Sequence, residues 1–524
     1  MKHASLQHPS SDLIAGRFAP IAGDALRSIN PADPSKTVWS GSPVAGHVDE
    51  AVGAARAALH NKAWARLRPE DRFGLLRRYA ELATQRAPKL AELICDETGK
   101  AWWEATMEAG AIADKVAITL DPAPQMGMSR VSTINLELSS TRRGVANFRP
   151  HGVMAVVGPF NFPAHLANGH IVPALAMGNT VVFKPSDKTP GVGQFLAELF
   201  HDAGFPAGVV NVVQGGAEVA KRLVAHEDID GVLFTGSWPV GRSILQANLD
   251  RPGRIVALEL GGSNPAVVMA DADLRQAVIE CVRAGFATTG QRCTCTRRVI
   301  VHESIADRFI RALAECAKAL TLGDPRGVGD ASLPPDKRQP VFMGPIIREE
   351  ARAAALAFQK SLAGAGGRVV LESRAAESPT GGYFITPGLV RVDRFTRGDD
   401  AGRDAGCDVE VFGPILRVST CRDLDDALDQ ANATRYGLAA SIFTKDQDAS
   451  DRFLRECRAG CVNVNTGTAG ASSKLPFGGL GQSGNHRPAG SFSLDYCAYP
   501  VASMIETGPA ATTAPGMRFE DAWL

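Results

Sequence analysis

Val153-Met154-Ala155-Val156-Val157 is an unbroken apolar run. It empties into Gly158-Pro159-Phe160-Asn161-Phe162-Pro163, a turn that holds an amide between two aromatic rings. Apolar residues without alternation, bounded by Gly and Pro, predict a strand covered on both faces, as in a parallel sheet. The pattern repeats: residues 180–183, 209–213 and 231–234 also read as buried strands. Helix-sized stretches lie between them, at residues 193–203 and 217–226. Strand–helix alternation of this kind predicts an α/β fold with a doubly wound, Rossmann-like sheet.

A second module follows. Residues 266–269 form another strand, and Asp271 and Asp273 stand as N-caps for a helix carrying Leu274, Val278, Val282 and Phe286 at helical spacing. Residues 298–301 read as a strand, and Ile305, Phe309, Leu313 and Leu320 mark a further helix. Two α/β modules fit a cofactor domain joined to a catalytic domain. Residues 131–148 alternate polar and apolar side chains and read as an exposed hairpin, which needs something to pack on. Residues 324–340 read as a surface loop, and residues 508–524 as a loosely held tail.

Composition sets the outer bounds. The chain has 524 residues, about three to four domains' worth at roughly 150 residues each. Apolar residues make 45% and charged residues 21%, which is a globular balance. With 56 Lys+Arg against 56 Asp+Glu the net charge is zero, so nothing marks the chain for nucleic acid or an anionic membrane. No stretch approaches the ~18 consecutive apolar residues of a membrane helix, and residues 1–20 lack the apolar centre of a secretory signal. The expectation is a cytoplasmic protein. Its ten cysteines show no zinc spacing, so no metal site is expected.

Five stretches carry chemistry. Cys293 lies in Thr288-Thr289-Gly290-Gln291-Arg292-Cys293-Thr294-Cys295, just beyond a helix. A thiol of pKa ~8.5 becomes a nucleophile when its surroundings favour the thiolate, and Arg292 is adjacent. Spacing alone does not choose between Cys293 and Cys295. Glu259 sits inside the apolar run Ile255-Val256-Ala257-Leu258-Glu259-Leu260-Gly261-Gly262. It is either a salt-bridged structural acid or a desolvated general base. The Gly-Gly after it lets the backbone approach another group closely. Asn161 either satisfies its own turn or donates an N–H to an oxyanion.

The fourth and fifth are nucleotide-like. Phe234-Thr235-Gly236-Ser237-Trp238-Pro239-Val240-Gly241 runs from strand through a glycine turn to a helix start, a place that attracts phosphate. Lys184 and Asp187 close another strand, and an acid there binds ribose hydroxyls and repels a 2′-phosphate.

In order, the PFNFP, KPSDKTP, FTGS, LELGG, GQRCTC, EVFGP and PFGG segments resemble the aldehyde dehydrogenase superfamily, over nearly the whole chain from Ser28 to Tyr499. The resemblance implies a Rossmann-like NAD-binding domain (residues 1–130 and 149–260) and an α/β catalytic domain (261–488). A small β oligomerisation arm (131–148 and 489–507) completes a homodimer or dimer of dimers. It implies Cys293 as nucleophile, Glu259 as base and Asn161 as oxyanion donor. Lys184 and Asp187 would hold the adenosine ribose. Gly236, Ser237 and Gly241 would face the pyrophosphate, and Glu410 and Phe412 the nicotinamide. The cofactor implied is NAD, with NADP admitted because Asp187 stands where the family usually carries the longer Glu. Residues 165–173, 483–488 and 495–500 resemble one branch, which oxidises a succinylated glutamate semialdehyde in arginine degradation. That substrate carries two carboxylates, and Arg292 and Arg487 are their candidate partners.

Overall fold

The computed structural model describes residues 3–397, 406–508 and 513–524. The opening run is the strand Val153–Val157, buried at all five positions. Its side chains alternate between two cores. Met154 and Val156 pack with Ile94, Leu175 and Phe195, whereas Val153, Ala155 and Val157 pack with Val52, Leu223 and Ile244. A strand sandwiched between helices needs apolar residues at every position, and each buried Val contributes roughly 1.5–3 kcal/mol.

Seven strands make this first sheet, in the order Ile255–Glu259, Gly231–Thr235, Val153–Val157, Thr180–Lys184, Val210–Val212, Ser11–Ile14, Arg17–Pro20. The first five are parallel; the last two form an antiparallel margin. Chain order reverses between Val153–Val157 and Gly231–Thr235. That is the topological switch point of a doubly wound sheet, where a crevice opens beyond the carboxyl ends of the strands.

The second seven-stranded sheet runs Arg368–Leu371, Gly388–Arg391, Ile415–Cys421, Thr296–His302, Asn264–Val268, Ala439–Phe443, Cys461–Val464. It is parallel apart from its first strand. Asp273 caps the helix Leu274–Phe286, its carboxylate accepting from Gln276 N. Asp271 does not act as a cap of that helix: its carboxylate accepts from Lys445 N, Asp446 N and the Thr444 hydroxyl, tying two strand ends together.

The exposed hairpin is real and finds its packing partner at the far end of the chain. Ile134–Glu137, Arg142–Pro150 and Ala498–Glu506 form a three-stranded antiparallel sheet. Ile134, Leu136 and Met504 remain exposed on it. The expected tail falls partly outside the described residues; residues 513–524 are exposed. Among the described residues no helix is long and apolar enough to cross a membrane.

Candidate active site

Between the two sheets lies the turn 287–295. Thr288 and Thr289 both hold positive φ (53° and 55°), followed by Gly290 at 73°. Non-glycine residues in that region cost about 1–3 kcal/mol each and persist only where the surroundings fix them. Here they do. Buried Glu104, from the helix Trp102–Thr119, accepts from Thr288 N (3.0 Å), Thr288 Oγ1 (2.7 Å) and Arg292 Nη2. Thr289 Oγ1 donates to Gly344 O. Buried Arg297 donates to Gly290 O, Arg292 O and Gly413 O. Asn264 Nδ2 donates to Cys293 O (2.7 Å) and Cys295 O (2.8 Å).

The turn presents one sulfur and hides the other. Cys295 is fully buried, its thiol 3.9 Å from Ala287 O. Cys293 is part-exposed and forms part of the wall of two separate cavities. One, about 520 Å³, opens at the switch point and is walled by Gly158, Lys184, Gly236, Glu259 and Glu410 among others. The other, about 390 Å³, is walled by Phe162, His165, Arg292 and Phe477, and by the loop around Ser472. Burial, with the carboxylates of Glu259 and Glu410 beside it, holds the Cys293 thiol well above the ordinary thiol range.

Glu259 ends its strand fully buried, and neither carboxylate oxygen has a hydrogen-bond partner. Desolvation, reinforced by the Glu410 charge, raises its pKa well above the usual carboxylate value. Among the described residues no salt bridge or hydrogen bond reaches its carboxylate. The Gly-Gly that follows makes the expected close approach. A Cβ on Gly261 would overlap the Glu410 carboxylate, and one on Gly262 would lie 2.9 Å from Cys293 O. Glu410 Oε1 in turn accepts from Gly262 N at 3.0 Å. Burial pushes Glu410 up to about 6, against the opposing charge of Arg297. Asn161 is buried on the switch-point cavity wall, and one of its two amide hydrogens goes to Gln291 O at 3.0 Å.

The remaining expected residues divide. Gly236, Ser237, Lys184, Asp187, Glu410 and Phe412 all wall the switch-point cavity. Gly241 does not: it is buried under Leu260, where a Cβ would come within 2.8 Å, so it serves close helix–strand packing. Lys184 Nζ, drawn down to about 8 by burial, donates to Pro185 O and Gly215 O. Asp187 pairs with Lys188 at 2.7 Å. Burial would raise its pKa, but that bond and the charges of Lys188, Lys184 and Arg348 prevail and lower it. Arg487 is not brought to either cavity wall; its Nη1 donates to Gly479 O at 2.7 Å.

The residues suit a dinucleotide. Two helices, Ala217–Ala225 and Trp238–Ala247, begin at the switch-point cavity, and neither has a side-chain cap, so their first N–H groups are open to an anion. Among the described residues no group of three or more His, Cys, Asp or Glu is placed to hold a metal ion.

This arrangement coincides with a sequence match: the aldehyde dehydrogenase family pattern spans residues 19–500. The chain belongs to the aldehyde dehydrogenase family. It is an aldehyde-oxidising oxidoreductase. It is 41% identical to N-succinylglutamate 5-semialdehyde dehydrogenase of Chromobacterium violaceum, over 94% of this chain and 96% of that protein. It is 43% identical to the enzyme of the same name from a Caulobacter species, over 94% and 95%. Among solved structures, an indole-3-acetaldehyde dehydrogenase complexed with NAD+ superposes with a TM-score of 0.87 at 30% identity, over 96% of this chain and 97% of that one. A γ-glutamyl-γ-aminobutyraldehyde dehydrogenase from Burkholderia cenocepacia gives 0.87 at 32%, over 96% and 98%.

Sequence reasoning missed Glu104, Asn264 and Arg297, which shape the turn, and Glu108 and His165, which wall the second cavity. Glu104 is 184 residues from Thr288, and no local pattern announces such a contact.

Proposed function

We propose that this aldehyde dehydrogenase oxidises N-succinyl-L-glutamate 5-semialdehyde to N-succinyl-L-glutamate, with NAD as the preferred acceptor. One observation carries the mechanism: Cys293 is shared by two cavities. A group in each cavity therefore meets at one sulfur. The relatives at 41–43% identity support the substrate, and Arg292 in the second cavity supplies a cation for its carboxylates. NADP is admitted as a weaker alternative, because Lys188 already engages the carboxylate of Asp187.

Cys293 Sγ attacks the aldehyde carbon, and its proton passes to Glu259. The free amide hydrogen of Asn161 and the backbone N–H of Cys293 hold the oxyanion. When bound, the dinucleotide supplies the two-electron acceptor. The carbon is left as a thioester on Sγ. Glu259 passes the thiol proton on to solvent, then takes a proton from water, whose oxygen attacks that thioester and releases the acid, and returns that proton to Sγ. The Gly236–Ser237 turn would hold the pyrophosphate, Lys184 and Asp187 the adenosine ribose, and Glu410 and Phe412 the nicotinamide side.

Residues 1–130 and 149–260 would form the dinucleotide domain and 261–488 the catalytic domain. The exposed Ile134, Leu136 and Met504 support residues 131–148 and 489–507 as an arm joining copies of the chain. The test is NADH formation from succinylglutamate semialdehyde against neutral aldehydes of equal length, in wild type, Cys293→Ala and Glu259→Gln. Cys293→Ala should be inactive, and Glu259→Gln should show a slowed NADH burst and little turnover after it. Equal turnover of neutral aldehydes would replace the substrate with a broader class, and turnover by Cys293→Ala would end the mechanism.

A further inference from the structure

Two histidines on the helix His165–Met177 have opposite fates. His170 is buried with both ring nitrogens bonded, Nδ1 to Tyr496 Oη (2.7 Å) and Nε2 to Thr235 Oγ1 (3.0 Å). That is how a structural histidine is satisfied. His165, in the wall of the second cavity, has neither. Its Nδ1 is closed off from solvent with no hydrogen-bond partner, and Nε2 is the ring nitrogen left open, on the cavity side. A buried N–H without an acceptor costs more than a bare lone pair. The neutral ring therefore keeps its hydrogen on Nε2 and points a donor into the cavity. Burial, aided by the charges of Lys115 and Lys100 against those of Glu108 and Asp114, lowers the imidazole pKa and keeps the ring neutral before anything binds.

The acids in the same wall do not compete for that donor. Glu104 is saturated by Thr288 and Arg292. Glu108 takes Lys100 Nζ and the backbone N–H groups of Ala164 and His165. Arg292 spends Nε on Thr288 and one Nη2 hydrogen on Glu104, and a guanidinium carries five N–H groups. His165 and Arg292 both flank Phe162, at 6.5 Å and 5.2 Å from its ring centre. The cavity thus holds unspent N–H donors on His165 and Arg292 beside one aromatic floor, with Glu104 and Glu108 already bound by donors.

We infer that His165 is a specificity-determining residue, whose Nε2–H receives one carboxylate of the substrate while Arg292 receives the other. This rests on the reading of a dicarboxylate aldehyde as substrate.

The experiment compares kcat and KM of wild type, His165→Leu and His165→Gln for succinylglutamate semialdehyde and for hexanal. Calorimetric binding of the product N-succinylglutamate to each protein is measured alongside. A hydrogen bond to a charged group predicts a roughly 10- to 100-fold rise in KM for the dicarboxylate in His165→Leu, with kcat and the hexanal constants changed less than about threefold. Product affinity should fall in step. His165→Gln, whose amide hydrogens reach the Nε2 position, should recover most of both. Equal losses for the two aldehydes, or unchanged product affinity in His165→Leu, would overturn the assignment and leave the substrate reading standing. A wild type that does not prefer the dicarboxylate over hexanal would overturn both.

Discussion

Replacing Glu104 by Gln tests whether the thiol is positioned by a strained turn held from a distance. The carboxylate is 1% exposed and takes three donors: Thr288 N–H, the Thr288 hydroxyl and Arg292. A carboxamide keeps the volume but turns one acceptor oxygen into a donor. Its oxygen would stay with Arg292 and the hydroxyl, leaving its NH2 against the Thr288 N–H. One buried N–H left unpaired costs about 1–3 kcal/mol, and replacing a charged partner of Arg292 by a neutral one costs about 1 more. The total, roughly 2–4 kcal/mol, matches the strain stored in Thr288 and Thr289 at about 1–3 kcal/mol each. Arg297 and Asn264 still grip the turn, so the lower half of the range applies. In steady-state kinetics kcat/KM should fall about 30- to 150-fold. Alkylation of Cys293 by iodoacetamide should change with it, because the sulfur is no longer held in one place. The melting temperature should drop only a few degrees. Catalysis within twofold of wild type would show that Thr288 and Thr289 hold their conformation unaided, and the argument from strain would fail.

Three further outcomes follow from the same geometry. Cys295→Ser should keep kcat within about threefold, since the buried thiol only packs near Ala287 O; loss of the NADH burst would make Cys295 the nucleophile. Because the Glu259 pKa is raised, the folded state holds its proton where the unfolded chain has lost it. Stability should therefore fall as pH climbs from about 4.5 to the raised value, by at most about 1.4 kcal/mol per pH unit. Glu259→Gln should melt above wild type at pH 8 with the gap closing toward pH 5, and turnover by wild type should rise with pH through the same window; a pH-independent gap would contradict this. Gly261→Ala should displace the Glu410 side chain and weaken NAD binding about tenfold or more, read by quenching of protein fluorescence, and an unchanged dissociation constant would show that Glu410 does not touch the dinucleotide.

Legibility followed the range of the interactions. Buried parallel strands announce themselves because both faces must be apolar, so Val153–Val157 was read to the residue. An acid such as Glu259 stands out inside a run of that kind, and the glycines after it signal crowding before one knows that Glu410 and the Cys293 carbonyl are what crowd them. The choice between Cys293 and Cys295 was not legible from spacing and rested on the motif resemblance. Two residues apart in one turn, they differ only in which side of it faces the cavities, and that is decided by Asn264, Glu104 and Arg297 from three other elements. Gly241 is ambiguous for a related reason: a glycine one helical turn into a phosphate-type motif serves the packing of Leu260 as well as it would serve a ligand.

The distribution of partners separates the working groups from their supports. Five carboxylates border the two cavities; Asp187 pairs with Lys188, and the other four divide by satisfaction. Glu104 and Glu108 are saturated by donors and hold backbone in place. Glu259 has no partner and Glu410 has one, and both are pushed toward the protonated form. A buried acid bound by several donors is a fixed charge that moves nothing. One left unbound, its charged form disfavoured by burial, takes or gives a proton without breaking a hydrogen bond. The thiol obeys the same logic: raised by burial and by both unsatisfied acids, Cys293 keeps its proton until a base takes it in the act of attack. A permanently ionised sulfur would need a cation at hand, and Arg292, its neighbour in sequence, has already committed two N–H groups to Thr288 and Glu104. On the proposed mechanism, reactivity comes from Glu259 and Cys293, groups denied partners, beside Glu104 and Glu108, whose carboxylates are saturated.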